Sequence, residues 1–287
     1  MEFEIISANY NNSQYLTRYF ESIINSTLRP SKILIVDDAS TDNSVEIIKS
    51  FEDKISICLI ENHTNLGFAN SLNLALEQVK TPFFARLDPD DFVHPERFNK
   101  QLDFFNNYPE IDIVGTNVTY ILNGLKKKNS AVTLSSSKIE KFIKEGILPI
   151  IHGSIMCKSN KLIDFRYRQK FVPAEDYDLF AYSISNGLKI MNMDFSLTFV
   201  TIHRNSVSND LKFSAVKNRF ELASNYFNTN KSSLYIKFDF FHLKYYRKYL
   251  FEESILKYYF IIISALFSPF KSITKFIKVL KVFSLIF

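Results

Sequence analysis

Residues 32–47 read KILIVDDASTDNSVEI, and this stretch decides the fold. Four apolar residues in succession, Ile33 to Val36, suit a strand buried on both faces, and a strand is expected over Lys32–Val36. It runs into Asp37 and Asp38, after which a helix is expected from about Asp42 to Phe51. The same unit recurs on either side. Phe3–Ser7 is a strand, followed by one helix face formed by Tyr15, Leu16, Tyr19, Phe20, Ile23 and Ile24. Ile55–Ile60 is a third strand, with a helix over Phe68–Val79, and Phe83–Leu87 is a fourth. Strands alternating with helices imply right-handed crossovers and a mostly parallel sheet with helices on both faces, an α/β fold. Ligands of such sheets bind beyond the carboxyl ends of the strands, where this sequence places its acids.

Further along, Pro95 suits the first position of a helix. Ile111–Leu122 is a longer strand, and Gly124–Ser137, with its Lys and Ser runs, is expected as a flexible loop. HGSIMCK at 152–158 is expected as a strand, and Glu175–Asn186 as a helix. Two further strands are expected around Leu188–Met193 and Leu197–His203. The 287 residues fit one large domain with an appendage, and 46% hydrophobic content supplies a core. Residues 1–208 carry 22 basic and 25 acidic side chains, a net of −3, whereas 209–287 carry 13 and 5, a net of +8. The division expected is therefore an acidic, enzyme-like body over 1–208, with halves at about 1–110 and 111–208, and a cationic helical region over 209–287. The body has no basic stripe, so nucleic acid is not an expected partner. Cys58 and Cys157 form neither a disulfide framework nor a metal spacing and suit a reducing cytoplasm. MEFEIISANYNN opens as a strand rather than a signal peptide.

Three acidic clusters could carry chemistry. Asp37 and Asp38 end a buried strand, where carboxylates can accept hydrogen bonds from a polar ring or a ribose. They equally suit a solvated strand end, with Thr41 or Asp42 capping the next helix. In Arg86-Leu87-Asp88-Pro89-Asp90-Asp91, an Asp-x-Asp at a strand terminus can hold a hard divalent cation through oxygens. Such a cation neutralises charge on a departing diphosphate. An acidic turn around Pro89 is the alternative, but three packed acids repel one another without a cation. Glu175-Asp176-Tyr177-Asp178 opens a helix: its acids suit the macrodipole, and one of them could act as a base. Six glycines supply neither GxGxxG nor a P-loop, HExxH and GxSxG are absent, and the five histidines are scattered.

In order, Asn9-Tyr10-Asn11, VDDASTD, Asn65-Leu66-Gly67 leading to Asn73, LDPDD, HPERFNKQLDFF, DIVGTNV, HGSIMCKS, AEDYDL and IHRNSVSN span about residues 3–208. This set resembles family 2 of the inverting glycosyltransferases, of the bacterial surface-polysaccharide type, which have the Rossmann-like GT-A fold. The resemblance implies that Tyr10 and Asp38 contact the base, with Asp37 nearby. Asp88 and Asp90 would form the DxD motif, with Asp90 the firmer ligand of Mn2+ or Mg2+. His203 would lie beside the metal and diphosphate, with Ser206 and Ser208 on its loop. Asp176 would be the general base, and His152, Ser154 and Glu175 would line the acceptor side. The implied donor is a nucleotide diphosphate sugar, a UDP-sugar foremost, and the implied acceptor is a glycan, lipid-linked, in O-antigen, capsule or similar synthesis. Ala8 and Asn9 depart from the family pattern before the tyrosine, which leaves the donor nucleotide open. Processive members carry Gln-x-x-Arg-Trp, and this chain has no Trp.

Two other enzyme classes fit less well. Phosphatases with an aspartate nucleophile place their Asp-x-Asp after the first strand, not the fourth. Nucleotidyltransferases show a glycine-rich loop where this chain has Asn9-Tyr10-Asn11-Asn12-Ser13. A non-catalytic nucleotide-binding or scaffold protein of an assembly complex is the remaining alternative. The tail from Ser254 to Phe287 has five lysines and no acid. Its apolar run Tyr258–Ser268 is shorter than the ~20 residues of a membrane span. The tail is expected as a basic amphipathic attachment to anionic membrane, putting the protein on the cytoplasmic, inner face of the cell membrane. Packing of that helix on the catalytic domain or on a second subunit is the competing expectation.

Overall fold

A computed structural model of the chain describes residues 1–122, 124–129, 134–203, 211–252, 254 and 256–268. Ser206, Ser208 and the basic stretch from Lys271 onward lie outside the described residues. The first half follows the expected alternation: β1 (Phe3–Asn9), α1 (Ser13–Ile24), β2 (Lys32–Asp37), α2 (Ser44–Lys49), β3 (Ile57–Glu61), α3 (Phe68–Glu77) and β4 (Phe83–Arg86). After these come β5 (Phe92–Val93), α4 (Arg97–Asn107), β6 (Ile113–Leu122), β7 (Leu125–Asn129), α5 (Ser136–Lys144) and β8 (Met156–Lys158). The chain continues through α6 (Glu175–Ser185), β9 (Ile190–Ile202), α7 (Phe213–Phe227), α8 (Ser233–Phe251) and α9 (Leu256–Phe267).

The strands form one sheet in the order β3-β2-β1-β4-β8-β6-β9-β5, with β7 paired to β6. β1, β2, β3 and β4 are parallel, as are β6 and β9, whereas β8, β7 and β5 pair antiparallel. The sheet is thus mixed beyond β4. Side chains alternate across it, so Ile5, Ile33 and Ile35 join one core with Leu16, Tyr19 and Phe20 of α1. Ile6, Leu34 and Val36 join the other, under α3, α5 and α6. β1 is buried at every position and β2 at all but its first, as covering both faces of the sheet demands.

Several expectations change. Gly124–Ser137 is not one loop: Leu125–Asn129 is a strand hydrogen-bonded to β6, and Ser136 already lies in α5. In HGSIMCK only Met156–Lys158 is strand, because His152–Ser154 winds into a single 3-10 turn. The two strands expected near 188–203 are one continuous β9. The polar Asp194-Phe195-Ser196 reads as a turn, but it is carried through by register shifts against Thr116, Asn117 and Val118 of β6.

The helices after 209 pack onto the body. Leu222 and Ala223 of α7 belong to the same core as α6. α9 lies along α8, where buried His242 and Ser264 hydrogen-bond each other at 2.9 Å. α9 thus packs on α8 by one face, with Ile261 and Ser264 buried, while Tyr259, Ile262 and Leu266 stay exposed. No helix among the described residues is long and apolar enough to cross a membrane.

Candidate active site

The carboxyl ends of β1, β2 and β4 lie side by side, so Tyr10, Asp37, Asp38 and Asp88 gather at one rim of the sheet. Asp37 is buried and fully engaged: it accepts from Asn9 Nδ2 at 2.8 Å, Ser40 N at 2.8 Å and Ser40 Oγ at 2.7 Å. Asp38 is likewise buried and accepts from Asn62 Nδ2, Leu66 N and Gly67 N, each at 2.8 Å. Its carboxylate thus shapes the Asn62–Gly67 loop. Gly67 adopts φ +89° there, and an added Cβ would stand 2.4 Å from Gln169 Nε2, so only glycine fits. Tyr10 is half exposed at the end of β1, open to a ligand. Asp42 takes the N–H of Ser44 at 3.0 Å and that of Ser13 at 3.0 Å, so it serves the first turns of two helices at once.

Ligand oxygens of Asp88, Asp90 and Asp91 all lie within 4.8 Å of one another. Asp88 is paired with the buried Arg86. Asp90 Oδ2 meets His203 Nε2 at 3.0 Å, and the His203 ring stacks on Tyr15. Asp91 accepts Thr201 N at 2.8 Å, which fastens the acidic turn to the end of β9. Burial, then Asp90 and Asp88, push the Asp91 carboxyl well above the usual carboxylate range. Gly153 completes the wall, for a Cβ there would stand 3.2 Å from Asp88 Oδ2 and 3.3 Å from Arg86 Nη1. The donor set of carboxylate oxygens with one imidazole suits a hard divalent cation, and Asp90 and His203 already face each other.

The charge balance differs from that expected from sequence. Arg86 offsets Asp88, and Arg97, wholly buried, donates to the carbonyls of Arg86 at 2.9 Å and Ile155 at 3.2 Å close behind the acids. Repulsion among the acids is therefore partly relieved by protein cations, and the argument for a metal rests on geometry instead. An arginine inside a four-residue buried strand was the available signal, because a buried cation needs a partner.

The acids of α6 divide by environment. Asp178 is fully buried and held by Arg168 and by Tyr226 Oη, which makes it structural. Asp176 is part-exposed and, among the described residues, accepts only Tyr177 N, at 2.6 Å. Burial raises its carboxyl, while the Tyr177 N–H, Arg219, Arg86 and Arg247 pull it back. Burial and then Asp176 push Glu175 up to about 8, so at neutral pH it is largely protonated. Glu175 also feels Arg86 and Asp88, so the head of α6 faces the acidic turn after β4.

His152 donates to or accepts from Tyr167 Oη at 2.8 Å, and burial, reinforced by Arg86, drives its pKa well below the ordinary value. It is neutral. Ser154 is wholly buried, its hydroxyl shared between Ile151 O at 2.8 Å and Thr116 N at 3.2 Å, so it braces the turn rather than lining a cleft. Sequence reasoning also missed Arg219 and Arg247, which come from α7 and α8 to the neighbourhood of Asp176.

An open α/β sheet with acids gathered beyond β2 and β4, completed by a second acidic helix, is the architecture of a GT-A glycosyltransferase. The chain belongs to glycosyl transferase family 2, whose family model matches residues 4–166. An uncharacterised glycosyltransferase of Methanocaldococcus jannaschii is 33% identical over 191 residues, 64% of this chain and 65% of that protein, just under two thirds of its length. The Escherichia coli UDP-Glc:alpha-D-GlcNAc-diphosphoundecaprenol beta-1,3-glucosyltransferase WfaP is 29% identical over 71% of this chain and 78% of its own. Among solved structures, S. aureus TarS in complex with UDP-GlcNAc aligns with a TM-score of 0.62 at 18% identity, over 93% of this chain and 71% of that one. The mannosyltransferase PcManGT of Pyrobaculum calidifontis, in complex with GDP-Man and Mn2+, aligns at 0.59 and 15%, over 93% and 73%. The last two likenesses are of fold.

Proposed function

We propose that this glycosyltransferase moves one sugar, with inversion, from a nucleoside diphosphate sugar to a lipid-linked glycan acceptor in the synthesis of a bacterial surface polysaccharide. The observation that carries the reading is the meeting of two acidic groups around Arg86: Asp88, Asp90 and Asp91 on one side, Glu175 and Asp176 on the other. A UDP-sugar is the favoured donor, in keeping with the donor named for WfaP and the ligand bound to TarS. The diphosphate-lipid acceptor in the name of WfaP supports the acceptor class.

Tyr10 covers the base of the donor, and the Asp37–Asp38 turn sets the depth of its pocket. Asp88, Asp90 and His203 would hold Mn2+ or Mg2+, which when bound supplies positive charge beside the donor diphosphate. Asp176 takes the proton from the acceptor hydroxyl as that oxygen bonds to the anomeric carbon. The bond from that carbon to the diphosphate oxygen breaks, and its electron pair leaves with the nucleoside diphosphate. Attack from the face opposite the leaving group inverts the anomeric centre. Glu175, kept neutral by burial, and neutral His152 give the acceptor side hydrogen-bonding groups that do not compete for the proton. Ser154 contributes by bracing the turn that carries His152. Positioning and fixed charges supply most of the acceleration. The net +8 of residues 209–287 suits a protein peripheral to the anionic inner face of the cell membrane, where a lipid-linked acceptor is found.

A donor screen by nucleoside diphosphate release, with and without manganese, tests this reading. One donor should be turned over in the presence of the ion, and Asp90→Ala or chelator should remove nearly all transfer. Full activity of Asp90→Ala in metal-free buffer would overturn it.

A further inference from the structure

Two arginines from the C-terminal helices are not accounted for by the donor site. Arg219, on α7, is only 13% exposed, and its Nη2 stands 3.7 Å from Asp239 Oδ2 on α8, too long for a hydrogen bond. That Nη2 has no hydrogen-bond acceptor among the described residues. Arg247, on α8, lies within electrostatic reach of Arg219, of Tyr120 on β6 and of Asp176. Burial disfavours the charge on both arginines; Arg219 disfavours it further on Arg247, while Asp239 and Asp176 favour it on Arg219, and Tyr120 and Asp176 on Arg247. Two guanidinium groups brought together in a half-buried place, with an N–H unspent, are suited to an anion with several oxygens.

Their position indicates which anion. Asp176 feels both arginines, and α7 packs against α6, so their charge bears on the place where the acceptor hydroxyl meets its base. An acceptor sugar joined to a lipid through a diphosphate carries its phosphate on the anomeric oxygen, across the ring from the attacking hydroxyl. We propose that Arg219 and Arg247 form an acceptor-side anion subsite, which takes the phosphate of a sugar diphosphate-lipid one sugar ring away from Asp176. The subsite rests on the reading of the acceptor as lipid-linked. It gives the helices after residue 209 a part in substrate selection, since a cation pair supplied by α7 and α8 is present only when α7 packs on α6 and α8 on α7.

The test compares binding of decyl diphosphate and of neutral decyl glucoside to the full chain by calorimetry. Chelator is present, so that no metal ion holds the diphosphate at the Asp-x-Asp side. Wild-type protein should prefer decyl diphosphate by roughly tenfold or more. Arg219→Gln and Arg247→Gln should each lose most of that preference while binding decyl glucoside as before, and the Lys variants should retain part of it. Should Arg219→Gln leave Asp239 unbalanced and lower the melting temperature, Arg219→Gln with Asp239→Asn removes both charges and gives the same comparison. A wild-type protein with no preference, or glutamine variants that keep it, overturns the subsite. Nucleoside diphosphate release from the donor is measured separately, so the transferase reading stands or falls on its own result.

Discussion

Replacing Arg168 by Met tests the division of labour among the acids of α6. Asp178 has no exposed surface, and its oxygens receive Arg168 Nε at 2.7 Å, Arg168 Nη2 and Tyr226 Oη at 3.0 Å. Arg168 itself is 39% exposed. The consequences of breaking the pair are therefore unequal. Arg168→Met strands a carboxylate in the core with one phenol for company, at a cost of about 3–5 kcal/mol. Asp178→Asn keeps the shape and leaves a guanidinium that water can reach, at a cost of about 1–2 kcal/mol. At roughly 2–4 °C per kcal/mol for a domain of this size, Arg168→Met should lower Tm by about 6–20 °C and Asp178→Asn by about 2–8 °C. Differential scanning calorimetry measures both, and kcat of the folded variants should stay within a few-fold of wild type. An Arg168→Met protein that melts within about 2 °C of wild type would falsify the reasoning, as would an Asp178→Asn loss larger than that of Arg168→Met.

Glu175 gives a pH signature. Its carboxyl is raised from 4.5 to about 8 in the fold, first by burial and then by Asp176. The stabilisation of its buried neutral form is complete below its unfolded value and is lost as pH rises through about 8. Glu175→Gln should therefore flatten the fall in Tm between about pH 5 and 8.5; an unchanged slope would place the titrating group elsewhere. The absence of Trp, and so of Gln-x-x-Arg-Trp, predicts one sugar per acceptor, and a ladder of additions in mass spectra would contradict it. Deleting residues 269–287 should move the protein from the anionic-vesicle pellet to the supernatant while leaving the α8–α9 packing and the melting temperature intact. Equal pelleting of the truncated and full chains would assign the tail another role.

The first half of the fold was legible because Ile5-Ile6, Ile33–Val36 and Phe83–Ala85 are short apolar runs, each followed by polar residues toward the rim. A two-sided burial pattern has few alternatives. β9 was misread because Asp194-Phe195-Ser196 carries turn chemistry, while its continuity depends on pairing with β6, a partner far away in the chain. The acids at β4 were legible as a cluster, but their balance by Arg86 and Arg97 was not. That depends on Arg97 reaching back under the strand from α4. Within Glu175-Asp176-Tyr177-Asp178 the sequence offered three equivalent carboxylates. Only Arg168 and Tyr226, from separate elements, distinguish the structural Asp178 from the open Asp176. Arg219 and Arg247 were hidden for the same reason, since the basic character of the tail read as a surface property and these two side chains point inward.

The central claim is that Asp176 deprotonates the acceptor, and single-turnover transfer by Asp176→Asn tests it most directly. The amide keeps the size of the carboxylate and its contact with the Tyr177 N–H region but removes the proton acceptor. The account predicts a fall in the rate of transfer of roughly 10²–10⁴-fold, with donor affinity almost unchanged and with Asp178→Asn, two residues along the same helix, close to wild type. A wild-type rate for Asp176→Asn would contradict the account and return the base to another group, Glu175 first.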